Sequence, residues 1–368
     1  MKICILSMQR VNNMGSLLQA YALKKTLESM GADVEFIDIK RIDQDFALLG
    51  GYQQNFCGEN GQTGLLGKLC RLDRYAVNRI RIRKLCDIQD KEFDKFRNEV
   101  LKLQIKSDRY DLCIIGSDEV FNCLNSGAWG FTSQLFGNVP EANRVITYAA
   151  SCGSTTYEKL PLNVSNRIRE TFKYVSDFSV RDKNTHDFVS KLSDKKITDN
   201  LDPVLIYNFD EEVEKAALPT LPAHYCVIYS YYNRIHTKAE IDAIENFCKK
   251  RNLTPIAVGA PQFWLKDYVV CTPFQCLKVF QNADFVITDT FHGTIFSAKY
   301  AERFSILSRQ SNKNKLLDLI EKIGMQEHLM NGVQELDKKY EITKNGAEFS
   351  QFIERQKEKS HAYLQKYL

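Results

Sequence analysis

The stretch ICILSMQRVNNMGSLLQAYALKKTLESMGADVEFIDI, residues 3–39, decides the fold. Ile3–Ser7 is a short apolar run of the kind buried on both faces of a sheet. A polar loop follows, and then Leu17, Leu18, Tyr21 and Leu27 fall on one helical stripe that stops at Gly31. Val34–Ile39 reads as a second strand. Strand, loop, helix and strand in that order make a right-handed crossover in a parallel sheet.

Working outward, the same rhythm continues. Residues 41–63 are irregular, and 64–104 read as an amphipathic helical stretch carrying Arg71, Arg74, Arg79, Arg81, Arg83 and Lys84. Strand signals resume at 112–115, 145–149 and 178–180, with helices near 163–175 and 185–192. Residues 199–223 hold three of the eight prolines and an acidic patch at 210–214, and read as an interdomain linker. Strands at 225–230, 254–258, 284–288 and 304–307 then alternate with helices at 237–251, 274–281, 293–301 and 313–323, and a last helix covers about 346–367. The expected fold is α/β: two Rossmann-like doubly wound domains facing across a cleft. The first is residues 1–205 with a helical insertion at about 41–106, the second 206–345, and 346–368 is a closing helix.

Composition narrows the function. With 368 residues the chain is long enough for roughly two domains. It is 44% hydrophobic and 26% charged, as a packed globule is, and its net charge of +4 does not point to nucleic acid. The basic stretch at 71–84 has few stacking aromatics, so no nucleic-acid partner is expected and membrane contact is peripheral at most. No leader or bilayer-length apolar run is seen, so the expected location is the cytoplasm, extending to the inner face of the membrane. Eleven cysteines without C-x-x-C spacing read as reduced thiols, and no carboxylate cluster asks for a metal.

Ligands of open α/β sheets bind beyond the carboxyl ends of strands, where three loops have suitable chemistry. Asn13, Gly15 and Ser16 open the first helix; they suit an anion, but from position alone Asn13 or Ser16 reads better as a helix cap. Asp118, in Gly-Ser-Asp-Glu (116–119), fits a general base or a sugar ligand, or a cap. His292, in Thr-Asp-Thr-Phe-His-Gly-Thr (288–294), stands where a strand turns into a helix, with Gly293 and Thr294 offering amides to an anion. The histidines at 186, 224, 236, 328 and 361 lack such a setting and read as surface or packing residues.

Six blocks in order, NNMGSLLQAYAL (12–23), GSDEVFN (116–122), YAASCG (148–153), SVRD (179–182), LDPVL (201–205) and TDTFHGTIFS (288–297), resemble the polysaccharide pyruvyl transferase family over about residues 1–325. The resemblance implies a GT-B-like pair of Rossmann-like domains. It also implies transfer of a pyruvyl group from phosphoenolpyruvate, the donor substrate, to a sugar or lipid-linked glycan acceptor. The product is a ketal and the by-product phosphate, with no cofactor required. On matching positions it makes His292 catalytic at the donor, Arg181 a donor-binding arginine and Asp118 a further cleft residue. Characterised members carry Arg two residues before the motif histidine, where this sequence has Thr290, a Ser/Thr-Phe-His-Gly variant. A trianionic donor needs cations, and Arg181, Arg309, Lys313 and Lys315 are the candidates to supply them. Two other functions share the architecture: a GT-B glycosyltransferase using a nucleotide sugar, and a non-catalytic glycan- or anion-binding module. The intact His292-Gly293 pair argues against the second.

Overall fold

The computed structural model describes residues 1–40, 42–43, 72–104, 107–124, 130–232, 234–309 and 312–368, with the backbone alone over 72–78. The first half runs β1 (Lys2–Leu6), α1 (Met14–Ser29), β2 (Asp33–Phe36), α2 (Leu72–Phe96), β3 (Leu112–Asp118), β4 (Val145–Ala150), α3 (Leu162–Phe172), β5 (Val175–Val180), α4 (Lys183–Ser190) and β6 (Ile197–Asp199). Two short helices, α5 (Pro203–Ile206) and α6 (Asp210–Lys215), occupy the linking segment. The second half runs β7 (Tyr225–Tyr229), α7 (Lys238–Lys250), β8 (Thr254–Val258), β9 (Tyr268–Val269), α8 (Pro273–Gln281) and β10 (Phe285–Thr288). It continues through α9 (Phe291–Tyr300), β11 (Phe304–Leu307), α10 (Lys313–Lys322), β12 (Leu329–Met330), α11 (Leu336–Tyr340) and α12 (Gly346–Gln365).

The strands form two six-stranded sheets, in the orders β2-β1-β3-β4-β5-β6 and β12-β11-β10-β7-β8-β9, and the pairings within them are parallel. Central strands are buried on both faces, which is why β3 and β4 read as unbroken apolar runs rather than alternating ones. Helix starts follow local chemistry: Asp182, Thr237 and Thr272 cap α4, α7 and α8 through their side-chain oxygens. In α1 every residue from Met14 to Leu23 is buried, because the helix is enclosed by its own sheet, by α5 and by α8 of the second domain.

The expected insertion lies in part outside the described residues, Arg71 among them. Within α2, Arg83 and Lys84 face solvent, while Gln89 bonds both the amide and the carbonyl of Cys271 beside the edge of the second sheet. Helix α12 returns to the first domain, where the Tyr363 hydroxyl donates to the Thr147 carbonyl at 3.0 Å and Ser360 donates to Asn200. His328 stacks on Phe304 with centroids 3.8 Å apart, a packing histidine as read from the sequence. The nine cysteines among the described residues are free thiols, eight of them buried. Among the described residues, no helix is long and apolar enough to cross a membrane.

Candidate active site

Each sheet has one place where successive crossovers run in opposite directions, and a crevice opens there. In the first sheet it lies between β1 and β3; in the second, between β7 and β10. The loops leaving those strands carry Asn13–Ser16, Asp118–Glu119, Tyr231 and Asp289–His292. The fold therefore turns the two crevices toward each other, and His292 of the second domain reaches the backbone of Gly15 in the first. A methyl group added at Gly15 would sit 2.1 Å from His292 Cγ and Nδ1, so only glycine leaves space for the imidazole.

His292 is the second residue of α9, and its side chain is 11% exposed. Its Nε2 lies 3.5 Å from Oδ2 of Asp202, a fully buried carboxylate. The same oxygen accepts from Arg181 Nη1 at 2.6 Å and from Ser117 Oγ at 3.3 Å. Burial works against ionising Asp202, but the imidazole and then the Arg181 guanidinium outweigh it and hold the carboxyl down to about 2. Arg181 also reaches Asp118 Oδ1 at 3.4 Å and lies 4.3 Å over the ring of Phe291. Burial disfavours its charge, but the surrounding carboxylates reverse that and raise it above its ordinary value.

Asp118 sits at φ 75, in the left-handed region. One of its oxygens accepts from Ser16 Oγ at 2.7 Å, the other from the amide of Glu119 at 2.9 Å. The strand reaches this geometry through Gly116 at φ +119, where a Cβ would come within 2.3 Å of the Tyr148 carbonyl oxygen. Glu119 faces across the cleft. Its carboxylate pairs with Lys315 of α10 and accepts from Asn122 at 2.6 Å. Burial pushes it up, but Lys315 first and Arg181 after it bring it to about 2. Further along α10, Lys322 donates to the Arg181 carbonyl at 2.8 Å, and Lys183 of α4 pairs with Glu321 at 2.8 Å. A row of polar contacts thus ties α10 to the first domain.

The residues picked from the sequence divide by what the structure does with them. His292, Asp118, Arg181, Gly15, Ser16 and Lys315 come together. Asn13 spends its side chain on the amides of Gly15 and Ser16, so those two amides serve the helix cap and not an anion. Gly293 and Thr294 build the turn as well: the Gly293 amide donates to Thr290 Oγ1 at 2.9 Å, and Thr294 Oγ1 donates to the Thr290 carbonyl. Thr290, where the family arginine is missing, is the N-cap of α9. Arg309 is engaged within the second domain, pairing with Asp289 at 3.1 Å and with Glu240. Lys313 is exposed in the first turn of α10, whose N-cap Asn312 turns its side chain to Asp289 and Arg309 instead of capping. Two carboxylates of this cluster were not picked out. Glu119 adjoins Asp118 and could pass for its neighbour, and Asp202 lies within the 201–205 block, where Asp-Pro reads as a cap and a linker. Its place in the fifth of the six ordered blocks was the signal available for it.

Comparison with known proteins agrees with this architecture. The Methanocaldococcus jannaschii UDP-GlcNAc 2-epimerase in complex with UDP-GlcNAc and UDP superposes with a TM-score of 0.50 at 11% identity, over 96% of this chain and 99% of that one. The Escherichia coli trehalose-6-phosphate structure bound with UDP-2-fluoro glucose gives 0.48 at 10% identity, over 100% and 99%. At 11% identity the first of these likenesses is one of fold: two Rossmann-like domains in the GT-B arrangement. Comparison with curated protein sequences gave no match. The family profile for polysaccharide pyruvyl transferase matches residues 13–309, a span that opens on the Asn13 cap and closes on Arg309, with the whole His292 cluster inside it. The chain, a transferase on this ground, belongs to the polysaccharide pyruvyl transferase family.

Proposed function

We propose that the protein moves a pyruvyl group from phosphoenolpyruvate to a sugar of a polysaccharide or its precursor. It acts in the cytoplasm, at the inner face of the membrane where the acceptor is lipid-linked. The observation that carries this reading is the placement of His292, with its ring against Gly15 of the first domain and its Nε2 3.5 Å from the buried carboxylate of Asp202. An imidazole so placed, at the meeting of the two domains, can hand a proton to a donor bound in the cleft.

In the reaction, His292 protonates the methylene carbon of the enol phosphate, leaving a cationic centre at C2. A sugar hydroxyl attacks C2 and its proton passes to a carboxylate, for which Asp118 is the candidate. The bond from C2 to the phosphate oxygen then breaks, phosphate departs, and the second hydroxyl attacks C2 and releases its proton. One enol phosphate and one diol become one ketal and one phosphate.

The charge balance says where the anion draws its support. Asp118, Glu119 and Asp202 outnumber Arg181 and Lys315, and Arg181 is committed to two of these carboxylates. The donor's phosphate therefore draws on Lys313, exposed in the first turn of a helix whose N-cap side chain is turned away, and competes with Glu119 for Lys315.

Thermal melts with phosphoenolpyruvate test the donor. At ~100 times its dissociation constant it should stabilise the protein by roughly 2.7 kcal/mol, a rise of about 5–10 °C in the midpoint of the domain that binds it. Phosphoenolpyruvate with a glycan acceptor should release phosphate, and His292→Ala should lower that turnover by ~10²–10⁴-fold with little change in melting. A shift with UDP- or GDP-sugars and none with phosphoenolpyruvate would overturn the reading.

A further inference from the structure

His292 and Asp202 belong to different parts of the chain, one on α9 and the other at the head of the linking segment, so something must fix their separation. Seven residues beyond His292 on the same helix, Lys299 extends under the turn that Asp202 begins. Its Nζ donates to the carbonyls of Val204 at 2.8 Å, Leu205 at 3.4 Å and Tyr207 at 2.5 Å. These are carbonyls at the end of α5, a four-residue helix that Asp202 caps at its start by accepting from the Val204 amide. One cation thus closes the end of a helix whose other end is the carboxylate facing His292.

We infer that Lys299 is a positioning residue, which pins the 202–207 turn to α9 and thereby sets the distance from the Asp202 carboxylate to the His292 imidazole.

The surroundings give the ammonium no other task. It lies 5.2 Å from the Phe209 ring centroid, and no carboxylate lies within ion-pair distance of it among the described residues. The charged groups that face it are Asp202, Asp210 and Glu212 of the linking segment and Lys357 of α12. Burial pushes the Lys299 ammonium down to about 7 despite Asp210, so holding a charge here has a cost that the three carbonyl contacts offset. From α9 itself, the Lys299 carbonyl accepts from Lys344, which holds that end of the helix in turn.

The inference rests on His292 as the reacting group, and its test needs neither donor nor acceptor. Diethyl pyrocarbonate acylates accessible neutral imidazoles, and peptide mass spectrometry reads the rate at each histidine of the full chain. His292 Nε2 is buried against Asp202, whereas His224 and His236 are exposed and serve as internal standards. In Lys299→Met the turn should loosen and the His292 rate should rise by about tenfold or more relative to the standards. Lys299→Arg, which keeps a cation and its donors, should stay within about twofold of the native rate. Asp202→Asn should raise the rate by itself, and adding Lys299→Met to it should change nothing further, because Lys299 acts through Asp202.

An unchanged His292 rate in Lys299→Met overturns the proposal. So does equal acceleration at all histidines, which would mark general loosening, and so do multiplicative effects in the double variant. Should Lys299→Met not fold, Lys299→Gln, with one amide donor left for the same carbonyls, carries the same prediction at smaller size. Because the assay needs no turnover, its failure would leave the pyruvyl-transfer reading standing, and failure of phosphate release would leave this one standing.

Discussion

Gly15→Ala is the sharpest perturbation the site allows. Gly15 lies inside α1 with an ordinary helical backbone, so alanine brings no conformational penalty and a propensity gain of up to ~1 kcal/mol. What it brings is a methyl group 2.1 Å from the imidazole, where ordinary contact begins at 3.4 Å, so roughly 1.3 Å of movement is forced on His292 or on α1. Overpacking of this kind costs ~1–3 kcal/mol, which leaves a net loss of stability of about 0–2 kcal/mol. A displacement of about 1 Å at a reacting group costs ~10²-fold in rate, or ~2.7 kcal/mol of barrier. The expected signature is therefore a protein that melts near the native temperature and releases phosphate from phosphoenolpyruvate ~100-fold more slowly in the presence of acceptor. A background variant isolates the cause: in His292→Gly the ring and the Cβ, which would lie 2.6 Å from the added methyl, are both gone, so Gly15→Ala should stabilise instead of destabilising. Near-native turnover in Gly15→Ala, or the same destabilisation in both backgrounds, would refute the reasoning.

Acid should weaken the fold through two carboxylates. Asp202 and Glu119 are held at about 2, below their ordinary 3.8 and 4.5, so their contribution is complete above those ordinary values and is lost as pH falls from about 4.5 toward 2. Melting curves across that range should steepen relative to Asp202→Asn and Glu119→Gln, whose profiles should be flatter; parallel profiles would refute this. Lys315→Met should destabilise more than Glu119→Gln combined with it, because the first leaves a carboxylate without its partner; a urea double-mutant cycle with no coupling would count against a role for this pair in joining the domains. Arg181→Ala takes the guanidinium away from two interior carboxylates, Asp118 and Asp202, and should cost roughly 3–5 kcal/mol, with Arg181→Lys losing less; equal urea midpoints would contradict it.

How much of this was legible in the sequence depended on what each feature is made of. Strands buried on both faces, such as Leu112–Ile115 within β3, announce themselves as apolar runs, and the helices between them by stripe and cap. Strands β6, β9 and β12 did not, because three residues or two, half-buried at or near a sheet edge, make no periodic signal. Within the site, His292 and Asp118 could be read because each follows its own strand directly. Arg309 was read as a donor contact, and its actual partners could not have been foreseen: Glu240 lies 69 residues away, and only the folded sheet brings it near. Thr290 read as a missing charge, yet as the cap of α9 it fixes the very turn that aims His292. Asp202 looked like part of a linker because Asp-Pro is common linker chemistry. Its meaning comes from two partners supplied by different domains.

The return of α12 to the first sheet bears on how the protein is made. Tyr363 bonds the Thr147 carbonyl across 216 residues of chain, so one wall of the first domain is supplied by a segment translated long after it. At ~5–20 residues per second, β4 leaves the ribosome roughly 10–40 s before the helix that covers it. During that interval the nascent first domain shows Tyr148 and the neighbouring edge of its core to solvent, where a holdase chaperone could recognise it. Synthesis of α12, more than synthesis of the first domain, is then the step that makes this half of the cleft durable.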